Sequence, residues 1–134
     1  MFEKYSNSFL KDFDFNVFVD RFNQKSFLSF QKDDKIYSRG MEALEVYFII
    51  SGEVSIGNDL PGGRMNLKYK LSAGDILGID DALRNEKYIY SAYASKDTNV
   101  MAVPKEELIS INNSNDDFNM WLLNYLSRRI SSLE

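Results

Sequence analysis

Cysteine and histidine are both absent from this sequence. Without cysteine there can be no disulfide framework, no zinc site built from thiolates and no thiol nucleophile. Without histidine the chain lacks the commonest general base and the commonest ligand of transition metals, so a Ser–His–Asp triad and a histidine-ligated metal centre are excluded. The composition therefore argues against an enzyme, and we expect no metal site.

Long apolar runs and an excess of positive charge are also lacking. The longest apolar run, Val46–Ile50, has five residues, whereas a bilayer-spanning helix needs about 20. Asp and Glu outnumber Lys and Arg by 20 to 16, a formal net charge of -4, so the chain has no general attraction for nucleic acid or anionic lipid. The N-terminus carries charges and is not typical of a signal peptide. We therefore expect a cytoplasmic protein that binds no membrane.

Apolar and aromatic residues are plentiful, at 44% and 14% of the 134 residues. This length and composition predict a single domain over residues 1–134. Two series of aromatic residues recur at intervals of three and four: Phe2, Tyr5, Phe9 and Phe13, then Phe15, Phe18 and Phe22. These are helical offsets, so a helical N-terminus is expected over about 1–25. We interpret the aromatic face as core; a surface for docking a partner is the alternative.

The middle of the chain, about residues 26–103, predicts seven or eight short strands. The run Val46–Ile50 is β-branched and aromatic, which is typical of a strand buried on both faces. The glycine in Ser51-Gly52-Glu53 and the alternating residues 54–56 after it predict a β-hairpin. Further strands are expected at Leu67–Leu71, Ile89–Ala94 and Val100–Val103, separated by turn signals. Short strands with frequent turns indicate a barrel or a sandwich.

Two helices are expected at the C-terminal end, over about residues 104–133. Pro104 followed by Glu106 and Glu107 favours a helix start, because carboxylates stabilise the positive end of the helix dipole. Asn112–Asn115 interrupts this helix and can cap the next one. The last helix carries an apolar stripe of Phe118, Trp121, Leu122, Tyr125, Leu126, Ile130 and Leu133.

Short motifs follow one another in a distinctive order along the chain. They are Ile36-Tyr37, Gly40, Val46-Tyr47-Phe48-Ile49-Ile50-Ser51-Gly52-Glu53-Val54, Gly74-Asp75-Ile76-Leu77-Gly78, Ser91-Ala92, Leu122-Leu123 and Leu126-Ser127-Arg128-Arg129-Ile130. In this order they resemble the cyclic-nucleotide-binding domain of the CRP/FNR regulators, over about residues 10–133. The resemblance implies a mainly β fold with flanking helices. That fold is a double-stranded β-helix, or cupin-like jelly roll, with N-terminal helices and a long C-terminal helix.

The resemblance also implies a phosphate cassette between the Gly-Asp turn and the strand that carries Ser-Ala. The family pattern is Gly-Glu, a short helix, and an Arg just before Ser/Thr-Ala. The helix N-terminus offers backbone N–H groups to the cyclic phosphate, the Arg makes a charge-assisted contact with it, and the Glu accepts from a ribose hydroxyl. The implied ligand is a cyclic nucleotide or another small phosphorylated compound.

This sequence keeps the frame of the cassette and changes its charged residues. Gly78 stands at the glycine position, but Ile79 replaces the Glu and Tyr90 replaces the Arg. The cassette is about one residue longer than usual, so Asp80 could take the place of the Glu. Together with Asp81, it could equally be a solvated helix start.

Three possibilities remain for the phosphate. Tyr90 could donate a neutral hydrogen bond, Arg84 or Lys87 could supply a charge, or the cassette holds no nucleotide. The candidate ligand-binding residues are Gly78, Ile79, Asp80, Asp81, Leu83, Arg84, Tyr90, Ser91, Ala92 and Arg129.

The last helix is the candidate dimer interface, because in the family it packs against its symmetry mate and covers the pocket. Trp121 and Tyr125 are aromatic anchors of the kind that dominate interfaces. The predicted homodimer interface comprises Phe118, Trp121, Leu122, Tyr125, Leu126, Arg129 and Ile130. A monomer that covers its own roll with this face is the alternative.

The leading hypothesis is a sensory or regulatory module that binds a small-molecule ligand, performs no chemistry and has diverged from the cAMP pattern. The alternatives are a ligand-free dimerisation or scaffold module of the same fold, and the sensor half of a longer transcription regulator. CRP/FNR regulators carry a DNA-binding helix-turn-helix after the long helix. This chain lacks one, so by itself it is not expected to bind DNA.

Overall fold

The computed structural model describes residues 18–133. Of these, 18–24 and 106–133 form one compact helical unit, and 25–105 form a second unit built of strands. Most of the predicted N-terminal helical region therefore lies outside the described residues. Its described part contains a short 3-10 helix at Val19–Arg21.

The strand unit has eight strands in two antiparallel four-stranded sheets. They are β1 (Ser26–Phe30), β2 (Lys35–Tyr37), β3 (Glu45–Ser51), β4 (Glu53–Leu60), β5 (Arg64–Ser72), β6 (Ile76–Leu77), β7 (Ser91–Ala94) and β8 (Thr98–Pro104). One sheet has the order β1-β8-β3-β6 and the other β2-β7-β4-β5. This confirms the predicted jelly roll.

Alternation along the strands explains which side chains enter the core of the roll. Val54 pairs with Ala94 and Ile56 with Ala92, and all four are buried. Residues two apart on a strand share a face, so these pairs form one continuous apolar layer. Burying a side chain such as Val or Ile contributes about 1.5–3 kcal/mol. Strand β3 is less completely buried than predicted, since Ile50, one residue before its end, is 40% exposed.

Gly52 is not the turn of a hairpin, and that prediction is wrong. Strand β3 belongs to one sheet and β4 to the other, so the chain changes sheets at this residue. Gly52 has φ +100, and a Cβ here would lie 2.4 Å from Oγ1 of Thr98 and 2.5 Å from the carbonyl oxygen of Asp97. The backbone thus crosses directly against the start of β8, which requires glycine. The hairpin lies further on, where β4 pairs with β5 through Pro61–Gly63.

Three α-helices complete the described chain: α1 (Ile79–Leu83), α2 (Lys105–Ser114) and α3 (Asp116–Leu133). As predicted, α2 follows Pro104, with acidic residues in its first turn. The Asn115 side chain accepts a hydrogen bond from the backbone N–H of Phe118 at 2.9 Å, and this confirms the predicted cap of α3. Among the described residues, no helix has the length and apolar character needed to cross a bilayer.

Aromatic rings form the centre of the helical unit. The rings of Phe18 and Phe22 meet that of Phe118 edge-on, with centroids 5.1 and 5.9 Å apart. Trp121 stacks on Tyr125 at 5.6 Å. All five side chains are buried, so the two described N-terminal phenylalanines serve the core, as interpreted from the sequence.

Candidate functional site

The cassette begins at Gly78, directly after β6. Its backbone lies in the left-handed region, with φ +81, and a Cβ would come within 3.0 Å of the Tyr88 ring. Its carbonyl accepts the N–H of Ala82 at 3.1 Å, so α1 starts at once. Both backbone conformation and close packing therefore require glycine here.

The ring packed against Gly78 belongs to an aromatic stack within the roll. Tyr88 and Tyr37 lie face to face, with centroids 3.7 Å apart and an interplanar angle of 9°. The Tyr88 hydroxyl donates to the carbonyl of Glu45 at 2.8 Å. Burial is the main cause that raises the pKa of both phenols, so both stay neutral and close this end of the cassette with apolar surface.

Helix α1 presents different residues to the interior and to solvent. Ile79, at the position of the family's Glu, is 1% exposed. Asp80 is exposed, which agrees with the solvated helix start considered above, but Asp81 is only 7% exposed, so that interpretation is wrong for Asp81. Leu83 is 42% exposed. The position that would accept a ribose hydroxyl therefore carries a buried alkyl group.

Arg84, the first candidate for a substitute cation, is held by two carboxylates. Its Nη2 donates to Oδ1 of Asp81 at 2.9 Å, and its Nε to Oε1 of Glu86 at 3.2 Å. Burial, and then the neighbouring Asp80, raise the pKa of Asp81, while Arg84 opposes this shift. The Arg84 charge is thus directed at the cassette's own acidic groups.

Lys87, the second candidate cation, lies on a separate hollow at the end of the cassette. This hollow has a volume of about 640 Å³ and is lined by Glu42, Ala43, Leu44, Asn85, Glu86, Lys87, Ile89 and Lys105. Backbone hydrogen bonds join the two segments that form it: the N–H of Ala43 donates to Glu86 at 3.1 Å, and the N–H of Tyr88 donates to Met41 at 2.9 Å.

The other end of the cassette, at Tyr90 and Ser91, carries an unexpected partner. Tyr90 is half-buried and meets the Tyr69 ring edge-on at 6.4 Å. Ser91 is fully buried; its hydroxyl donates to Oδ2 of Asp59 at 2.7 Å and accepts the N–H of Arg39 at 3.0 Å. The single proton of this hydroxyl is therefore already committed to a carboxylate. Ala92 lies in the core.

Asp59 collects donors from two further residues. The Tyr93 hydroxyl donates to its Oδ1 at 2.6 Å, and Nζ of Lys35 lies 3.7 Å from Oδ2. Hydrogen bonds from Tyr93 and Ser91, with the Lys35 charge, lower the pKa of Asp59. Sequence reasoning missed Asp59 because it lies in a turn-rich stretch. Tyr93 could have been found, since it shares a strand face with Ser91.

The predicted interface residues of α3 do not share one environment. Phe118, Trp121, Leu122 and Tyr125 are buried, Leu126 and Arg129 are half-buried, and Ile130 is exposed. Among the described side chains of α3, the large apolar ones that are exposed are Met120, Leu123 and Ile130. The face rich in aromatic residues is therefore core in this structure, and the exposed apolar face is its neighbour.

Arg129 lies in the helical unit, whereas the other candidate ligand residues lie in the roll. Its Nη1 donates to the Tyr125 hydroxyl at 3.0 Å, and the guanidinium carbon is 5.9 Å from the centroid of that ring. Both contacts are within one turn of α3, and they hold the guanidinium against the helix.

A family model described as the cyclic nucleotide-binding domain matches residues 27–115, well over half of the chain. This chain belongs to the cyclic nucleotide-binding domain family. The match includes the whole cassette and all strands except the first residue of β1. A comparison with curated protein sequences gives no match.

Solved structures show the same fold as this cyclic nucleotide-binding domain at low sequence identity. The sensor domain of the transcriptional regulator DNR from Pseudomonas aeruginosa is 17% identical with a TM-score of 0.71, covering 98% of this chain and 92% of that one. Catabolite activator protein from Thermus thermophilus is 20% identical with a TM-score of 0.71, covering 92% and 56%. The N-terminal domain of a Streptomyces coelicolor transcriptional regulator is 17% identical with a TM-score of 0.67, covering 94% and 90%. The chain thus spans little more than half of the catabolite activator protein.

Proposed function

We propose that this domain is a regulatory, non-enzymatic ligand-binding module whose cassette does not hold cAMP or cGMP. The observation that carries the proposal is the 2.7 Å hydrogen bond from the Ser91 hydroxyl to Asp59. The family pattern places its phosphate-binding Arg directly before this residue, at the end of the cassette, but here a carboxylate takes the proton of the Ser91 hydroxyl. A phosphate placed at Ser91 would meet a second negative charge, and like charges at close range repel.

The cation that would offset this repulsion is missing from its usual position. Tyr90 can donate only a neutral hydrogen bond, worth about 0.5–1.5 kcal/mol against about 1.5–3 kcal/mol for a charged one. Arg84 would have to leave Asp81 and Glu86 to reach a ligand. Losing one charge-assisted contact to a desolvated ion costs on the order of 2–5 kcal/mol, a factor of roughly 30 to several thousand in affinity.

The ribose side of the cassette supports the same proposal. Ile79 is buried and has no acceptor for a hydroxyl. A ribose hydroxyl brought against it would lose its water without gaining a partner, which costs about 1–3 kcal/mol. Phosphate and ribose are therefore both disfavoured, by independent residues.

A regulatory role is supported by the kind of protein that shares the fold. The similar structures include a sensor domain and an N-terminal domain of transcriptional regulators. The present chain consists of a roll and helices, and its net charge is -4. We therefore propose that it senses a small molecule and leaves DNA binding to another segment or partner.

Isothermal titration calorimetry tests the ligand proposal. We expect no measurable heat of binding for cAMP or cGMP at about 100 µM protein. Losing the contacts of the family's Arg and Glu should move a micromolar dissociation constant to the millimolar range. The variant Tyr90→Arg should gain affinity, and Tyr90→Arg with Ile79→Glu should gain more. A control, Tyr90→Phe, keeps the ring contact with Tyr69 and should bind no better than the wild type.

A micromolar constant for cAMP with the unmodified chain would refute this proposal. Arg84, Lys87 and Arg129 would then be the cations to replace, each by Met, to find the one that meets the phosphate.

A second candidate function, dimerisation, is favoured by the exposed face of α3. Met120, Leu123 and Ile130 are 60%, 55% and 61% exposed, and their spacing of three and seven residues matches one seam of a two-stranded coiled coil. We propose that two copies pair through this seam. It replaces the aromatic face as the contact surface, because Trp121 and Leu122 are buried.

Sedimentation velocity tests the seam. The double variant Leu123→Glu with Ile130→Glu should be monomeric and keep the circular dichroism of the wild type, since both side chains are exposed. Asn113→Glu, at an exposed position on α2 and so outside the seam, should remain dimeric. Leu122→Glu should instead lower the melting temperature. A wild-type chain that sediments as a monomer at high micromolar concentration contradicts the dimer.

A further inference from the structure

Three donors converge on the carboxylate of Asp59. Ser91 and Tyr93 donate from their hydroxyls at 2.7 and 2.6 Å, and the Lys35 ammonium lies 3.7 Å away. Each carboxylate oxygen receives one hydroxyl. Hydroxyl and ammonium groups are hydrogen-bond donors that can bind a small oxyanion, and the ammonium adds charge assistance.

The strand register explains why these donors meet. Lys35 of β2 pairs with Tyr93 of β7, and Ser91 of β7 pairs with Gly57 of β4. Ser91 and Tyr93 are two residues apart and share a face, while Asp59 is two residues beyond Gly57 on the adjacent strand. The Lys35 ammonium also lies 5.2 Å from the centroid of the Tyr93 ring, which holds it beside the carboxylate.

Ser91 is anchored in the sheet, whereas the carboxylate of Asp59 is attached near a turn. Ser91 is fully buried and fixed by the Arg39 N–H. Asp59 stands one residue before the end of β4, and its side chain is 44% exposed. Ser91 therefore belongs to the body of the sheet, whereas solvent reaches both the carboxylate and the Lys35 side chain, which is 39% exposed.

We propose that these three donors form an oxyanion-binding site that Asp59 fills as the chain's own anionic group. The ligand class is a single carboxylate or phosphate-type group, and Asp59 is the residue that sets the specificity by excluding such a ligand from the wild-type domain. This inference rests on the proposed function only in that Ser91 belongs to the same cassette.

Chemical rescue tests the site. The variant Asp59→Gly leaves space for acetate, which replaces the lost Cβ and carboxylate, and Asp59→Ala leaves space for formate. Thermal unfolding is followed in acetate, formate and inorganic phosphate, with chloride at equal ionic strength as the reference. We expect the matching anion to raise the melting temperature of its variant by about 3 °C or more, because a ligand of the folded state stabilises it. The wild type should not respond.

The matched control is Asp97→Gly, another exposed aspartate of the roll, whose carboxylate accepts the backbone N–H of Lys32 at 2.9 Å. It should show no rescue. Adding Lys35→Met to Asp59→Gly should abolish the rescue, since it removes the positive charge. A larger response to phosphate than to acetate assigns the site to phosphate-type groups, and the reverse assigns it to carboxylates.

Absence of rescue in both Asp59 variants, or equal rescue in Asp97→Gly, overturns the proposal. If Asp59→Gly does not fold in chloride, the measured quantity is its refolding yield with and without acetate, and an unchanged yield is again negative. None of these outcomes depends on cyclic nucleotides, so failure here is distinct from a wild-type chain that binds cAMP.

Discussion

The two ends of the cassette are built on different principles. At the Gly78 end, a left-handed backbone and the stacked rings of Tyr88 and Tyr37 fill the space. At the Ser91 end, hydroxyl groups and a carboxylate satisfy one another. The first end keeps the family frame because sterics leave no alternative. At the second end, β7 keeps its pairing with β4 while Ser91 donates to a carboxylate. The backbone frame therefore does not fix which polar groups lie at the end of the cassette.

The largest expected effect is at the Gly78 end. Gly78→Ala places a non-glycine residue at φ +81, which costs about 1–2 kcal/mol. The added Cβ at 3.0 Å from the Tyr88 ring adds about 1–3 kcal/mol of overpacking. Urea unfolding should therefore show a loss of about 2–5 kcal/mol.

Gly62→Ala is the control, because Gly62 has nearly the same φ, +80, with nothing within 4 Å of its added Cβ. It should show the backbone cost alone, about 1–2 kcal/mol. Equal losses in the two variants would mean that the Tyr88 contact does not constrain the cassette.

A smaller effect, the pH dependence of the free energy of unfolding, should distinguish Asp81 at one end from Asp59 at the other. Burial raises the pKa of Asp81 above 3.8, so its contribution is stabilising at low pH and is lost as pH rises through the raised value. Donors lower the pKa of Asp59 below 3.8. Its contribution is therefore present above about pH 4 and is lost as pH falls through the lowered value.

The free energy of unfolding is measured between about pH 3 and 7 for the wild type, Asp81→Asn and Asp59→Asn. Relative to the wild type, Asp81→Asn should gain stability as pH rises and Asp59→Asn should lose it. Added salt should shrink the Asp59 effect more, because its side chain is more exposed. If the free energies of unfolding of the two variants, relative to the wild type, changed with pH in the same direction, Asp81 and Asp59 would not lie in opposite environments.

Local signals predicted much of this molecule. The strand at Val46–Ile50 and the cap at Asn115 each depend on residues within a few positions of one another, whereas Gly78 was expected from the family resemblance. The partner of Ser91 could not be predicted in this way, since Asp59 is 32 residues away and reaches it through strand register. The prediction of a hairpin at Gly52 failed for a related reason, because a glycine between two strands is compatible with a hairpin and with a change of sheet.

The surroundings of α3 could not be predicted for a different physical reason. Trp121 and Tyr125 fit an interface or a core, and periodicity alone does not say which surface they meet. The described part of the N-terminal region supplies rings that pack with Phe118, and this shows that aromatic neighbours elsewhere in the chain decide between the two.

The pairing of β1 with β8 has a consequence for how the chain acquires its structure. Ser29 and Asn99, which are hydrogen-bonded across this pair, are separated by 70 residues. Closing so long a loop costs entropy before any contact rewards it, and folds dominated by distant pairings are slow to form. During synthesis, Phe27 and Leu28 leave the ribosome long before their partner strand exists. We therefore expect the first strand of the sheet to be among the last to pair, and until then its backbone groups are open to pairing with another chain.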